Sequence, residues 1–354
     1  MAARIALMGL GLLSLCSAKP TLEPRQLPDQ LPIAGQYEPY NNARGPQLPT
    51  PGDLTGATPA KTGGPPTADD ILYQQLMAAE WTIVYFYKRA VEIFTADDFT
   101  KLGFANTTYD RIQEIRDNEV GHVNIMAGLI SDNAIKPGPC KYTYNFTTPL
   151  EFLAMQTVIE VGGTAFLPGL ISEASTKSGQ STLAAITEVE LRHNSFSLID
   201  IWKSNPFSGP ADTVYPYPLQ ILSGSAFNIV PGSCPKENPP FPRPENVKPL
   251  MQINSTKSKG RPGEEIEAIF PIPQQQPRFE DGKEYYAVFF HALSNITCKY
   301  DVQKRTATVP DVFDKGKGVI IVVISDEPGA PTEDSVVAGP LLMLQQPAAL
   351  VEMM

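Results

Sequence analysis

The sequence holds only three histidines, two tryptophans and four cysteines in 354 residues. The cysteines form no Cys-X-X-Cys pair, which excludes a rubredoxin-type iron site and leaves any redox centre to draw electrons from an external donor. Basic residues are also in deficit, with 28 Lys and Arg against 38 Asp and Glu and a net charge of -10. A nucleic-acid or anionic-membrane partner would need a concentrated basic face, and neither is expected here. Beyond the N-terminus no run of 18 apolar residues is evident, since the patch at 336–344 leads into Gln345-Gln346-Pro347. Gln345, Gln346 and Glu352 also spoil the tail as a lipid-anchor signal, so no stable membrane insertion is expected.

What is present begins with an export signal. Arg4, an apolar stretch from Ile5 to Leu15 and the small residues Cys16-Ser17-Ala18 read as a signal peptide over residues 1–18. Four Asn-X-Ser/Thr sequons, at Asn106, Asn145, Asn254 and Asn295, fit the same route and predict surface positions. The expected location is extracellular or in the cell wall. Of the remaining cysteines, Cys140, Cys234 and Cys298, one pair should bridge. Three pairings are open. Cys140 with Cys234 is favoured because both sit in proline-rich loops beside the helical region, whereas Cys298 lies in a predicted strand where a thiol packs readily.

Residues 19–66 carry eleven prolines and few large apolar side chains, a composition that reads as a linker or surface-hugging arm. Thr67-Ala68-Asp69-Asp70 then caps a helix running to about Ala96. Apolar spacing of three and four predicts further helices over about 109–130, from Thr148-Pro149-Leu150-Glu151 to an end or kink at Pro168, and over about 179–202. These make a four-helix bundle over residues 67–230. From residue 231 to 346 the texture changes to prolines and β-branched or aromatic runs, at 250–254, 266–272, 285–293, 306–309, 319–325 and 336–344. Short strands at this spacing predict a small β-sandwich, immunoglobulin-like in arrangement, followed by a tail at 347–354. The fold class is α+β multidomain.

Two of the three histidines stand three residues after a glutamate, in Glu119-Val120-Gly121-His122 and Glu190-Leu191-Arg192-His193. Chance places both so roughly once in a hundred sequences of this composition. Positions i and i+3 share a helix face, so each pair presents a carboxylate and an imidazole to one point. Each pair also continues an apolar stripe: Ile112, Ile115, Met126 and Leu129 for the first, and Leu183, Ile186 and Ile201 for the second. A carboxylate buried without a partner costs several kcal/mol, roughly, so a cation is expected there. Glu80, between Leu76, Met77, Ile83 and Val84, and Glu160, between Leu153, Thr164 and Leu167, lie on the inward stripes of the other two helices. One Glu from each of two helices and one Glu-X-X-His from each of the others is the ligand set a bundle uses for two divalent transition-metal ions, iron or manganese.

In its order of Glu80, Glu119, His122, Glu160, Glu190 and His193 the chain resembles the ferritin-like superfamily. Through the phrases Glu160-Val161-Gly162-Gly163-Thr164-Ala165-Phe166-Leu167-Pro168-Gly169 and Pro231-Gly232-Ser233-Cys234-Pro235 it is similar to its secreted fungal branch. That branch includes the Rds-type stress-response and late sexual development proteins and is related to plant desiccation-related proteins. The resemblance implies a dinuclear metal site and redox chemistry on dioxygen or peroxide. It also allows a non-enzymatic extracellular or wall-associated stress, desiccation or development protein with a structural or vestigial metal site. Four sequons and an added domain of about 105 residues argue against assembly into an iron-storage shell.

The bland readings stand beside these. Glu92, Glu151, Glu173 and Glu188 lie off the stripes or near helix ends, as solvated charges do. His291 is expected to be a strand histidine satisfied by hydrogen bonds. Tyr87, one heptad after Glu80, reads first as packing and second as a radical or electron relay. Gly162 and Gly163 serve either close helix packing or close approach of backbone or substrate to the metals.

Overall fold

The computed structural model describes residues 56–354. The expected signal peptide, Cys16 and most of the expected linker lie outside them. The short part of that linker which is described runs beside residues 132–136, where Thr58 bridges Lys136.

Helix α1 (Ala68–Ile93) opens on the cap read from the sequence: the Thr67 hydroxyl accepts from Asp70 N and the Asp70 carboxylate accepts from Thr67 N. It ends at Ile93, three residues short of the expectation, because Thr95 and Asp98 form a second capping box that starts α2 (Ala96–Thr100). Helix α3 spans Thr108–Leu129, α4 spans Pro149–Glu173 from the Thr148/Glu151 box, and α5 spans Lys177–Phe196. A π-helical turn, Ser197–Ile201, extends α5. Pro168 does not end α4. The ring removes one backbone donor, but Phe166, Leu167, Gly169 and Leu170 around it are all buried, and their packing outweighs that loss.

Helices α1, α3, α4 and α5 enclose two apolar clusters, one at each end of the bundle. The first holds Leu76, Met77, Met126, Leu167, Leu183 and Ile186, and the second Phe86, Ile112, Ile115, Phe152, Leu153 and Ile201. Every one of the four helices passes from one cluster to the other through a polar level, at Glu80, Glu119/His122, Glu160 and Glu190/His193.

After α6 (Pro218–Ser223) the chain forms β1 (Gln252–Ile253), β2 (Glu265–Ile269), β3 (Tyr285–His291), β4 (Ser294–Tyr300), β5 (Thr306–Thr308), β6 (Val319–Ser325) and β7 (Val336–Leu344). Two antiparallel sheets result, ordered β1-β2-β5 and β4-β3-β6-β7. The architecture is the expected α+β class. Strands β3, β6 and β7 share one sheet and β2 and β5 the other, as in an immunoglobulin-like sandwich with the fourth strand added beside the third. That fourth strand carries Cys298, read from the sequence as a strand cysteine although none of the six runs includes it.

Strand periodicity explains how the large sheet is buried on both faces. Ile320, Val322 and Ile324 of β6 point between the sheets with Ala287, Phe289, Ile266 and Ala307. Val319, Ile321 and Val323 point the other way, onto Val161 and Ala165 of α4 and Leu350 and Val351 of the terminal helix α7 (Ala348–Met353). Helix α4 is long and apolar enough to cross a membrane by length and composition, but 67% of its most apolar window is buried inside the protein. It is apolar all round because it packs on the bundle with one side and on the sheet with the other. Cys140 and Cys234 form a disulfide, and Cys298 is free and half-buried on β4.

Candidate metal centre

The polar level of the bundle collects all six residues singled out by the sequence, none of them more than 6% exposed. Helix periodicity makes this happen: each lies on the stripe that also carries core residues one turn away on either side. Glu119 and Glu190 each reach both histidines. Nδ1 of His122 lies 3.2 Å from Glu119 Oε2 and 3.1 Å from Glu190 Oε1. Nδ1 of His193 lies 3.2 Å from Glu119 Oε1 and 3.4 Å from Glu190 Oε2. Glu80 stands at the outer end of the His122 side, 3.9 Å away, and Glu160 at the outer end of the His193 side, 3.4 Å away. The two rings are 6.4 Å apart.

Electrostatics alone would not hold this cluster together. Even with both imidazoles protonated, four carboxylates leave two negative charges uncompensated in a site closed to water. The protons respond accordingly. Burial pushes the Glu80 carboxyl well above the usual range, against the pull of His122, and pushes Glu160 up to about 8 against the pull of His193. Glu190 moves the opposite way: burial raises it, but hydrogen bonds and charge from the two histidines outweigh that and hold it below the usual range. Burial lowers both imidazoles, yet the facing carboxylates raise them well above their ordinary value.

Glu80 Oε2, Glu119 Oε1, Glu160 Oε2 and His193 Nδ1 are buried without a hydrogen-bond partner. A buried polar atom in this condition costs about 1–3 kcal/mol, so four converging in one place make a site that could hold a cation. The donor atoms fall into two groups, each drawn together within 4.8 Å: Glu119, Glu160, Glu190 and His193, and Glu80, Glu119 and His122. Carboxylate oxygens with imidazole suit iron or manganese. The residues present therefore could hold metal ions.

A surrounding layer of polar residues supports these donors. The Tyr87 hydroxyl, pushed well above its ordinary range by burial and by the Glu160 charge, donates to Glu160 Oε1. Ser197 Oγ lies 2.8 Å from Gln156 Oε1 and 3.2 Å from the His193 carbonyl. Nδ2 of Asn118 lies 3.1 Å from His193 Nε2. Sequence reasoning passed over Asn118, Gln156 and Ser197, although spacing carries a signal for two of them. Gln156 is one turn before Glu160, and Ser197 one turn after His193. The paired glycines separate in role: a Cβ on Gly163 would lie 3.8 Å from Glu190 Oε2, facing the site, whereas one on Gly162 would lie 3.6 Å from Leu342 of β7. His291 is buried on β3 with Nδ1 3.1 Å from the Val319 carbonyl, away from the cluster.

Residues 69–198 match the model of the ferritin-like domain, so a ferritin-like domain is present over that span. No curated protein matches the chain.

Proposed function

With a ferritin-like domain as the frame of the buried cluster, we propose that the chain is an exported protein with a dinuclear iron or manganese centre that reacts with dioxygen or peroxide. The observation that carries the reading is the convergence, from four helices, of six donors of which four hold buried atoms with no hydrogen-bond partner. When bound, the metals supply Lewis acidity and redox change. The chain's own residues do the rest. Glu119 and Glu190, each facing both histidines, would hold the ions together with Glu80, His122, Glu160 and His193, and Tyr87 fixes the outer oxygen of Glu160. Apolar clusters on both sides keep bulk water out, which favours an oxidant of a few atoms over a larger substrate.

Export is supported by the Cys140–Cys234 disulfide and by exposed sequon asparagines at Asn106, Asn145 and Asn295. Asn254 is half-buried, with its Oδ1 accepting from Thr256. The deciding experiment is elemental or anomalous-scattering analysis of the natively secreted protein, with peroxide consumption followed in parallel. Fewer than one transition-metal ion per chain would overturn the proposal. The near-complete burial of all six residues also suits a second reading, a non-enzymatic extracellular or wall-associated stress, desiccation or sexual-development protein that uses the metal structurally. In that case replacing His122 and His193 by alanine lowers the melting temperature and leaves the phenotype intact.

A further inference from the structure

The β-domain has an opening of its own. Where the two sheets part, β2 and β5 on one side, and the start of β3, the end of β4 and the turn at 301–304 on the other, line a cleft of about 540 Å³. That volume lies in the ordinary range for a small-molecule site. Its walls are built in advance: Asp301 Oδ1 accepts from the backbone N of Gln303 and of Lys304, Asp301 and Thr306 pair across the turn, and Glu280 N donates to the Tyr285 hydroxyl.

Three acids, Glu265, Glu284 and Asp301, and three lysines, Lys283, Lys299 and Lys304, line the cleft, so it carries no net charge. The lysines are already matched, Lys299 to Glu284 at 2.7 Å, Lys283 to Asp326 at 2.8 Å and Lys304 to Asp301 at 3.5 Å. An anion would find no unpaired lysine in it, and Glu265 alone makes no cage for a metal ion. What is left unused is polar and uncharged. The side chains of Gln303, Thr306 and Thr308 line the cleft and make no hydrogen bond among the described residues. Tyr300 also lines it, is 3% exposed, and has a buried hydroxyl with no hydrogen-bond partner. Burial pushes that hydroxyl up to about 12, so it stays protonated and offers both a donor and an acceptor.

We propose that this cleft binds a neutral saccharide. Each hydroxyl of a sugar both donates and accepts, which matches the unused groups of Gln303, Thr306 and Thr308 and gives the Tyr300 hydroxyl the partner it lacks. Glu265, opposite Thr308 across β2 and β5, accepts from a further one. A ligand with net charge gains nothing from walls whose charges cancel. The sequon at Asn295 lies five residues from Tyr300 along β4, roughly 17 Å away, so the attachment point of a glycan is clear of the cleft. The site does not depend on the metal centre. It would tether an exported chain to polysaccharide.

The test is calorimetric titration of the secreted full chain with three neutral hexasaccharides, cellohexaose, maltohexaose and laminarihexaose, and with a sulfated heparin hexasaccharide as the charged control. Saturable binding of at least one neutral sugar, and none of the sulfated one, is expected. Tyr300→Phe should weaken that binding about three- to tenfold, the measure of one hydrogen bond. The same variant should leave the melting temperature of the sugar-free protein equal or higher, because it deletes a buried group with no partner. A tyrosine that only packs would leave the affinity unchanged. Gln303→Ala with Thr308→Ala, both at exposed positions, should weaken binding by about tenfold or more and leave metal content as it was. Should Tyr300→Phe fail to fold, the exposed pair decides. No saturable binding of any neutral sugar, tighter binding of the sulfated one, or an affinity unchanged in both variants would overturn the proposal and leave the metal-centre reading untouched.

Discussion

Replacing Glu119 by glutamine should have opposite effects in the two states of the protein. Glu119 is fully buried and faces both histidines at 3.2 Å, so the substitution removes one negative charge from the centre of the cluster while keeping its shape. In a plain ion-pair cluster the loss of one partner leaves uncompensated charge and costs about 3–5 kcal/mol. In a metal centre stripped of its ions Glu80 or Glu160, which burial holds protonated, can ionise in place of Glu119, so the variant should be as stable as the parent or more stable. Metal added to the parent at about 1,000 times its dissociation constant contributes roughly 4 kcal/mol. For about 300 residues unfolding together that is roughly 6 °C in melting temperature. Glu119→Gln should lose most of that rise, because one side chain serves both positions. The assay is thermal melting of parent and variant, each with chelator and with Mn(II) or Fe(II). A variant that melts several degrees lower in chelator, together with a parent that ignores metal, would refute the reasoning.

Asp70→Asn should destabilise by about 2 kcal/mol at neutral pH, since the carboxylate accepts from Thr67 N at 2.8 Å and Ser131 N at 2.7 Å and so ties the start of α1 to the end of α3. Burial raises the Asp70 carboxyl, but these bonds outweigh it and set it below 3.8. Its contribution is therefore complete above about pH 4 and disappears as the pH falls through the depressed value; chemical denaturation across pH should show parent and variant converging in acid. Cys140→Ser with Cys234→Ser opens a bridge spanning 94 residues and should cost roughly 2–5 kcal/mol; equal urea midpoints would count against a stabilising role. Gly169→Ala should destabilise by roughly 1–3 kcal/mol, because its Cβ would come within 2.5 Å of the Tyr215 carbonyl oxygen. Gly163→Ala meets only an ordinary contact and should gain up to about 1 kcal/mol of helix propensity. Equal melting shifts for the two glycines would contradict that assignment.

The bundle and its cluster were legible because their signals are local and repeated. A hydroxyl cap, an acidic first turn and carboxylates set into apolar stripes need only helix periodicity to be read. Pro168 does not end α4 because local propensity ignores what packs on a helix, and α4 is buried on two sides. Strand β4 was not among the runs because Asn295, Thr297 and Lys299 face solvent on a sheet edge, leaving only Ile296, Cys298 and Tyr300 to mark a period of two. Asn118 was invisible for a different reason. It lies against His193 on another helix, and no spacing along one helix reports a contact of 75 residues' separation.

Helix α4 presents Glu160 to the cluster and, with its neighbour Val161 and with Ala165, closes the outer face of a sheet whose last strand ends ten residues before the C-terminus. The helical half is thus finished by strands that follow it by more than 100 residues. A nascent chain stopped at residue 198 would hold every one of the six donors and still leave one wall of α4 wet. The matched segment, 69–198, therefore holds the whole cluster without burying the helix that carries Glu160.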